Sequence, residues 1–204
     1  MKKVFLLLIF LTAFMSQAEE VETKTLPIHE AAEKGDLDIV SKLLKENPKL
    51  AYKYNEHGNQ IIHIACKFNH IKLLTFLLDS GIPIESKSDY LKNTPLNMAA
   101  TFSDVKMVDL LLKRGADINY QSGFQEDYMK YKSGNTALLA AAILGDMNMV
   151  RYLVEKGAKV NIISCGNSND PKTALDYAKR EEMIELLKKH GAKKGSELVM
   201  EQKK

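Results

Sequence analysis

The chain has 204 residues, 45% hydrophobic and 27% charged, a balance that fits a folded domain with a core and excludes a charge-rich disordered segment. With 29 basic and 26 acidic residues the formal net charge is +3, too even to point to nucleic acid or an anionic membrane surface.

The first element in chain order is a leader. Lys2 and Lys3 precede an apolar run from Val4 to Leu11 that continues through Ala13, Phe14 and Met15. Ser16-Gln17-Ala18 and the acidic Glu19-Glu20 follow. A basic start, a short apolar stretch and small residues before the cut predict a secretory signal peptide over residues 1–18, cleaved after Ala18. The run is shorter than the roughly 20 residues that span a bilayer, so no stable membrane insertion is expected after cleavage. The absence of cysteine near the cut argues against lipid attachment there. The leader has a bacterial character and predicts a periplasmic or secreted protein. Its removal leaves 27 basic against 26 acidic side chains.

After a short linker over residues 19–24, one pattern recurs five times. It reads LPIHEAAEKGDLDIVSKLL from Leu26, QIIHIACKFNHIKLLTFLL from Gln60, TPLNMAATFSDVKMVDLLL from Thr94 and TALLAAAILGDMNMVRYLV from Thr136. A shortened copy, TALDYAKREEMIELL, begins at Thr173. A period of 33 to 34 residues predicts stacked supersecondary units, because one unit cannot bury its apolar face alone. In the third unit, Thr94 can cap a helix and Pro95 sits where a missing N–H costs nothing. Leu96, Ala99 and Ala100 form an apolar stripe, the alanines allowing a neighbouring helix to approach closely. Ser103-Asp104 starts a second helix with Val105, Val108, Leu111 and Leu112 on its apolar face. Gly115 ends it in the left-handed conformation.

These residues resemble the ankyrin repeat. The family's T-P-L-H opening is matched by Leu26-Pro27-Ile28-His29, Gln60-Ile61-Ile62-His63, Thr94-Pro95-Leu96-Asn97, Thr136-Ala137-Leu138-Leu139 and Thr173-Ala174-Leu175-Asp176. Its Gly-Ala-Asp-x-Asn motif is matched by Gly115-Ala116-Asp117-Ile118-Asn119 and, modified, by Gly157-Ala158-Lys159-Val160-Asn161. The resemblance implies an all-α solenoid over residues 25–192, built from helix-turn-helix units joined by β-hairpin-like loops. Its repeats fall at about 25–57, 58–91, 92–133, 134–170 and 171–192, and a polar tail follows over 193–204.

The departures from the family pattern mark what is particular to this chain. Glu46-Asn47-Pro48 replaces a glycine after the first helix pair and reshapes its exit. Thr94 and Thr136 are 42 residues apart, and the extra length lies in Tyr120–Lys132. A polar loop, Cys165–Pro171, precedes the fifth copy, whose interhelix turn is cut. The polar Lys179-Arg180-Glu181-Glu182 stretch in that copy fits a terminal cap facing water.

Catalytic and metal-binding patterns are missing from the sequence. His29 and His63 recur at one repeat position, where the resemblance implies hydrogen bonds between loops and helices. His57, His70 and His190 show no zinc-ligand spacing. There is no Gly-rich phosphate loop, nucleophile elbow or HExxH motif. Cys66 occupies a small-residue packing position, unsuited to an activated thiol. Cys165 lies in a loop at least two repeats away, beyond the roughly 7 Å that a disulfide allows between Cα atoms. Both thiols are expected to be unpaired. The expectation is a non-enzyme with no cofactor and no metal.

The resemblance places binding on the hairpin tips and the ends of the first helices. The two positions after each small pair read Glu33-Lys34, Lys67-Phe68, Thr101-Phe102 and Ile143-Leu144, so an apolar line runs through Phe68, Phe102 and Leu144. Tyr54, Glu56 and His57, then Tyr90 and Leu91, then Phe124, Tyr128 and Tyr131 of the long insertion add aromatic and polar groups from the hairpins. Aromatic anchors with a polar rim suit a protein partner. The expectation is a monomeric interaction module of the bacterial envelope with a protein partner and no nucleic acid. Two other readings stay open, a dedicated inhibitor or immunity protein for one enzyme or toxin, and a carrier of a small ligand such as haem.

Overall fold

The computed structural model describes residues 26–123, 134–164 and 170–202. Four complete helix pairs follow one another: α1 (Pro27–Lys34) with α2 (Leu37–Glu46), α3 (Ile61–Lys67) with α4 (Ile71–Asp79), α5 (Pro95–Phe102) with α6 (Val105–Lys113), and α7 (Ala137–Leu144) with α8 (Met147–Glu155). The first helices stack in sequence, α1 on α3, α3 on α5, α5 on α7, and α7 on the short α9 (Ala174–Tyr177). Their small residues make this possible: Ala32, Ala65, Cys66, Ala99 and Ala141 have no measurable exposure. Six consecutive residues of α7, Ala137 to Ala142, are buried, so this helix is apolar all round and sits inside the stack.

The second helices lie outside, each showing one apolar face inward through Val40, Leu73 and Leu77, Val108 and Leu111, or Val150 and Leu153. Aspartate caps three of them: Asp36 accepts from the Ile39 N–H, Asp104 from Met107 and Asp146 from Met149, each at 3.0 Å. In the second unit His70 takes that place without a side-chain cap, and its Nε2 instead meets the Glu33 carbonyl at 2.7 Å, tying unit two to unit one. Gly115 adopts a φ of 92°, the left-handed termination expected from sequence.

The loops are turns rather than paired strands. Among the described residues the only β pairing is the Ser164–Lys172 bridge. The reshaped exit of the first unit is a 3-10 helix over Pro48–Tyr52, opened by Asn47, whose side chain accepts from the Lys49 N–H. Neighbouring hairpins are stitched through the motif side chains. Asn119 accepts from the Lys159 N–H and Asn161 from the Lys193 N–H, both at 2.8 Å, and Glu85 does the same for Asp117.

At the C-terminus the polar tail carries a further element. Residues Gly195–Glu201 form α11, which follows α10 (Glu181–Lys189) and docks on the fifth unit. Asp176 accepts from the Gly195 N–H at 2.8 Å, Thr173 Oγ donates to the Lys193 carbonyl at 2.7 Å, and Lys193 pairs with Glu201. Gly195 lies so close to Pro171 that a Cβ would meet its carbonyl oxygen at 2.1 Å. Lysines at 193 and 194 suggest a solvated segment by charge alone, but the backbone groups of the cut fifth unit need partners, and the tail supplies them. Cys66 is buried and free. Cys165 lies outside the described residues.

Candidate interaction groove

A chain of buried polar groups first fixes the hairpins. His63 Nδ1 faces the Gln60 N–H at 3.3 Å and must accept. Its Nε2 faces the Ser86 and Asn93 carbonyls, both at 3.0 Å, and must donate. That arrangement needs a neutral ring, and burial pushes the His63 pKa down from 6.5 to about 4. His29 repeats the arrangement between the Leu26 N–H and the Lys53 carbonyl. In the third unit Asn97 does the same work: Oδ1 accepts from the Thr94 N–H, and Nδ2 donates to the Asn135 carbonyl at 3.3 Å. In the fourth, Leu139 has no such group, and Gln121 Nε2 reaches across to the Ile163 carbonyl at 2.8 Å.

The hairpins so held form one wall of a groove whose other wall is the ends of the first helices. One lobe, about 510 Å³, is lined by Leu91, Asn93, Asn97, Met98, Thr101, Phe102 and Asn135 together with the neck residues Ser122, Gly123 and Gly134. A second lobe of about 220 Å³ is lined by His57, Asn59, Lys67, Ser88 and Tyr90, and shares Leu91, Asn93, Met98 and Phe102 with the first. The two lobes are therefore continuous across the second, third and fourth units.

Six of the fourteen residues expected to bind line the lobes, namely His57, Lys67, Tyr90, Leu91, Thr101 and Phe102. Phe68, Ile143 and Leu144 lie outside that lining, on the exposed surface. Phe68, Phe102 and Leu144 are 43%, 54% and 57% exposed, and Ile143 is exposed beside Leu144. Lys67 joins the first two, its Nζ lying 5.3 Å from the Phe68 ring centre and 5.9 Å from that of Phe102. Phe68 also stacks on His70 at 6.3 Å. Tyr90 packs over Gly58, where φ is 70° and a Cβ would lie 2.6 Å from the ring. Leu91 is exposed, and its carbonyl accepts from the Gly123 N–H.

Other expected residues stand apart from the groove lining. Tyr54 spends its hydroxyl on the Lys87 carbonyl at 3.3 Å, linking two hairpins, and Glu56 pairs with His57 at 3.6 Å on the open rim. Phe124, Tyr128 and Tyr131 lie outside the described residues. The neck of their insertion is clasped, with Ser122 N–H and Oγ both donating to the Asn135 carbonyl, at 3.1 and 3.0 Å.

One set of groove residues escaped the sequence reading. Asn59, Asn93 and Asn135 each stand immediately before a first-helix cap, one per repeat, and all three line the groove. Their signal in the sequence is the recurrence of Asn immediately before the cap of the second, third and fourth units.

The sequence model of a family described as ankyrin repeats (3 copies) matches residues 28–122 and again 123–197. The chain belongs to the ankyrin-repeat family. Ankyrin repeats are in general protein–protein interaction modules and typically not enzymes. No curated protein matches the chain.

Proposed function

We propose that this chain is an exported, monomeric module of the bacterial envelope that binds a protein partner through the groove and the adjoining hairpin tips. The observation that carries the reading is the exposed line of Phe68, Phe102 and Leu144 beside a continuous groove over three repeats. Large apolar side chains left in water beside a concavity favour burial by a partner. The surface is braced by buried hydrogen bonds from His63 and Asn97, so little ordering is needed on association. Export rests on Lys2-Lys3, the apolar run and Ser16-Gln17-Ala18.

The test is affinity capture from envelope extract with the mature chain, repeated with Phe68→Ala and Phe102→Ala combined. Capture should weaken by about 2 kcal/mol or more if either ring is a hot spot, with helical content unchanged. A double variant that folds and retains full affinity overturns the groove as the binding surface. Mass spectrometry of the protein from its own host should find an N-terminus at Glu19. An intact Met1 overturns export.

A further inference from the structure

Among the described residues the groove is lined by one lysine and four asparagines, of which Asn97 is held by its own hydrogen bonds and the other three describe what fits. Among the described residues Lys67 is the only lysine or arginine lining either lobe, and no described Asp or Glu lines them. Its ammonium group lies against two phenyl rings with no carboxylate in ion-pair range among the described residues. Asn59, Asn93 and Asn135 line the same groove, and their side chains make no hydrogen bond to the described chain, although the backbone groups of all three are bonded. An amide side chain presents one donor group and one acceptor side by side, the complement of a peptide group.

The spacing selects the conformation of the occupant. Packed helices lie about 8–10 Å apart, so the three amides recur at roughly that interval along the stack. An extended chain of polyproline-II type turns once every three residues and rises about 9 Å in doing so. Equivalent peptide groups on one side of such a chain therefore recur with the repeats. Its N–H and C=O groups have no internal partners. Apolar surface continues on both sides of Lys67, through Phe68 and Phe102, which places a bound carboxylate inside a segment rather than at a chain end.

We propose that the groove binds an extended segment of a partner protein through its main chain. The amides of Asn59, Asn93 and Asn135 pair with peptide groups, and Lys67 receives an Asp or Glu side chain flanked by apolar residues. This rests on the reading of the groove as the binding surface.

The experiment is selection from a displayed library of random short peptides on the full chain and on its Lys67→Glu variant, with circular dichroism confirming the fold. Wild type should enrich one acidic position flanked by apolar residues, and Lys67→Glu should replace it with a basic one. Lys67→Gln should lower affinity for an enriched peptide about tenfold or more. Asn93→Ala, which touches both lobes, should lower it about 3- to 10-fold. If Asn93→Ala fails to fold, Asn59→Ala reads the same contribution. Peptides that lose binding with Phe68→Ala and Phe102→Ala, but show no acidic preference, a helical spacing or no response to the asparagine variants, overturn this inference and leave the groove standing. Peptides indifferent to the phenylalanine variants, or no enrichment at all, overturn both. A concentration-dependent dimer in sedimentation that the phenylalanine variants abolish assigns the groove to a second copy and overturns the peptide.

Discussion

His63 shows how a single buried side chain couples this fold to pH. In the folded chain its ring is neutral, because Nδ1 already accepts from the Gln60 N–H and a proton there would set two donors face to face. In the unfolded chain the ring titrates near 6.5. The contribution to stability is therefore complete above pH 6.5 and declines as pH falls toward about 4, since the unfolded state takes up the proton first. The loss over that window is on the order of 3 kcal/mol. Urea melts at pH 7.5 and 4.5 should show it, and His63→Asn should flatten the difference, because Asn97 fills the same role one repeat later without titrating in this range. An unchanged pH slope in that variant removes His63 as the source. Asp176 makes a second residue-scale case. It accepts from the Thr173 and Gly195 N–H groups, so Asp176→Ala should cost about 1–3 kcal/mol by leaving part-buried donors unpaired.

At the scale of elements, the helix pairs behave as the sequence pattern predicts, and the loops do not. Ala99 and Ala100 are buried between stacked first helices, so Ala99→Leu should overpack the contact by about 1–3 kcal/mol. Leu111, fully buried on the inner face of α6, should cost about 2–5 kcal/mol on truncation to Ala. Urea denaturation reads both, and midpoints equal to wild type would show that the helix faces are misassigned. Helix faces were legible because a 3.6-residue period fixes which side chains share a side. The roles of single polar residues were not. His29 and His63 stood out by recurring, whereas Asn97 does the same work under another name, and α11 was hidden behind lysines. The hydroxyl of Tyr54 links its hairpin to the next one, because a side chain's partner in the next repeat, here the Lys87 carbonyl, is set by stacking rather than by local sequence.

Across the whole molecule, stability is a sum of neighbour contacts along the stack, and the ends must be closed. The C-terminal end is closed by α11, whose hydrogen bonds reach back to Thr173 and Asp176. Ending the chain after Ala192 should therefore lower the melting temperature and loosen the fifth unit first. Hydrogen exchange would locate the loss at α9 and α10, and protection there equal to that of the full chain would show the closure to be unnecessary. The groove lies over the second to fourth units, away from that end, so the truncated protein should bind as before at temperatures where it is folded.

The clasp at Ser122 and Asn135 separates the length of a connection from the geometry of what it connects. Both ends of the insertion are brought together by hydrogen bonds that belong to the stack itself. The neck thus acts as a socket: material can be threaded into the chain there while α5 and α7 keep their register. Doubling a loop already closed at its base adds only about 0.6 kcal/mol of closure entropy. A protein engineer should be able to exchange the extra residues for a fluorescent reporter or an epitope. Even a nick between the two ends would leave two fragments that still interlock through their helices.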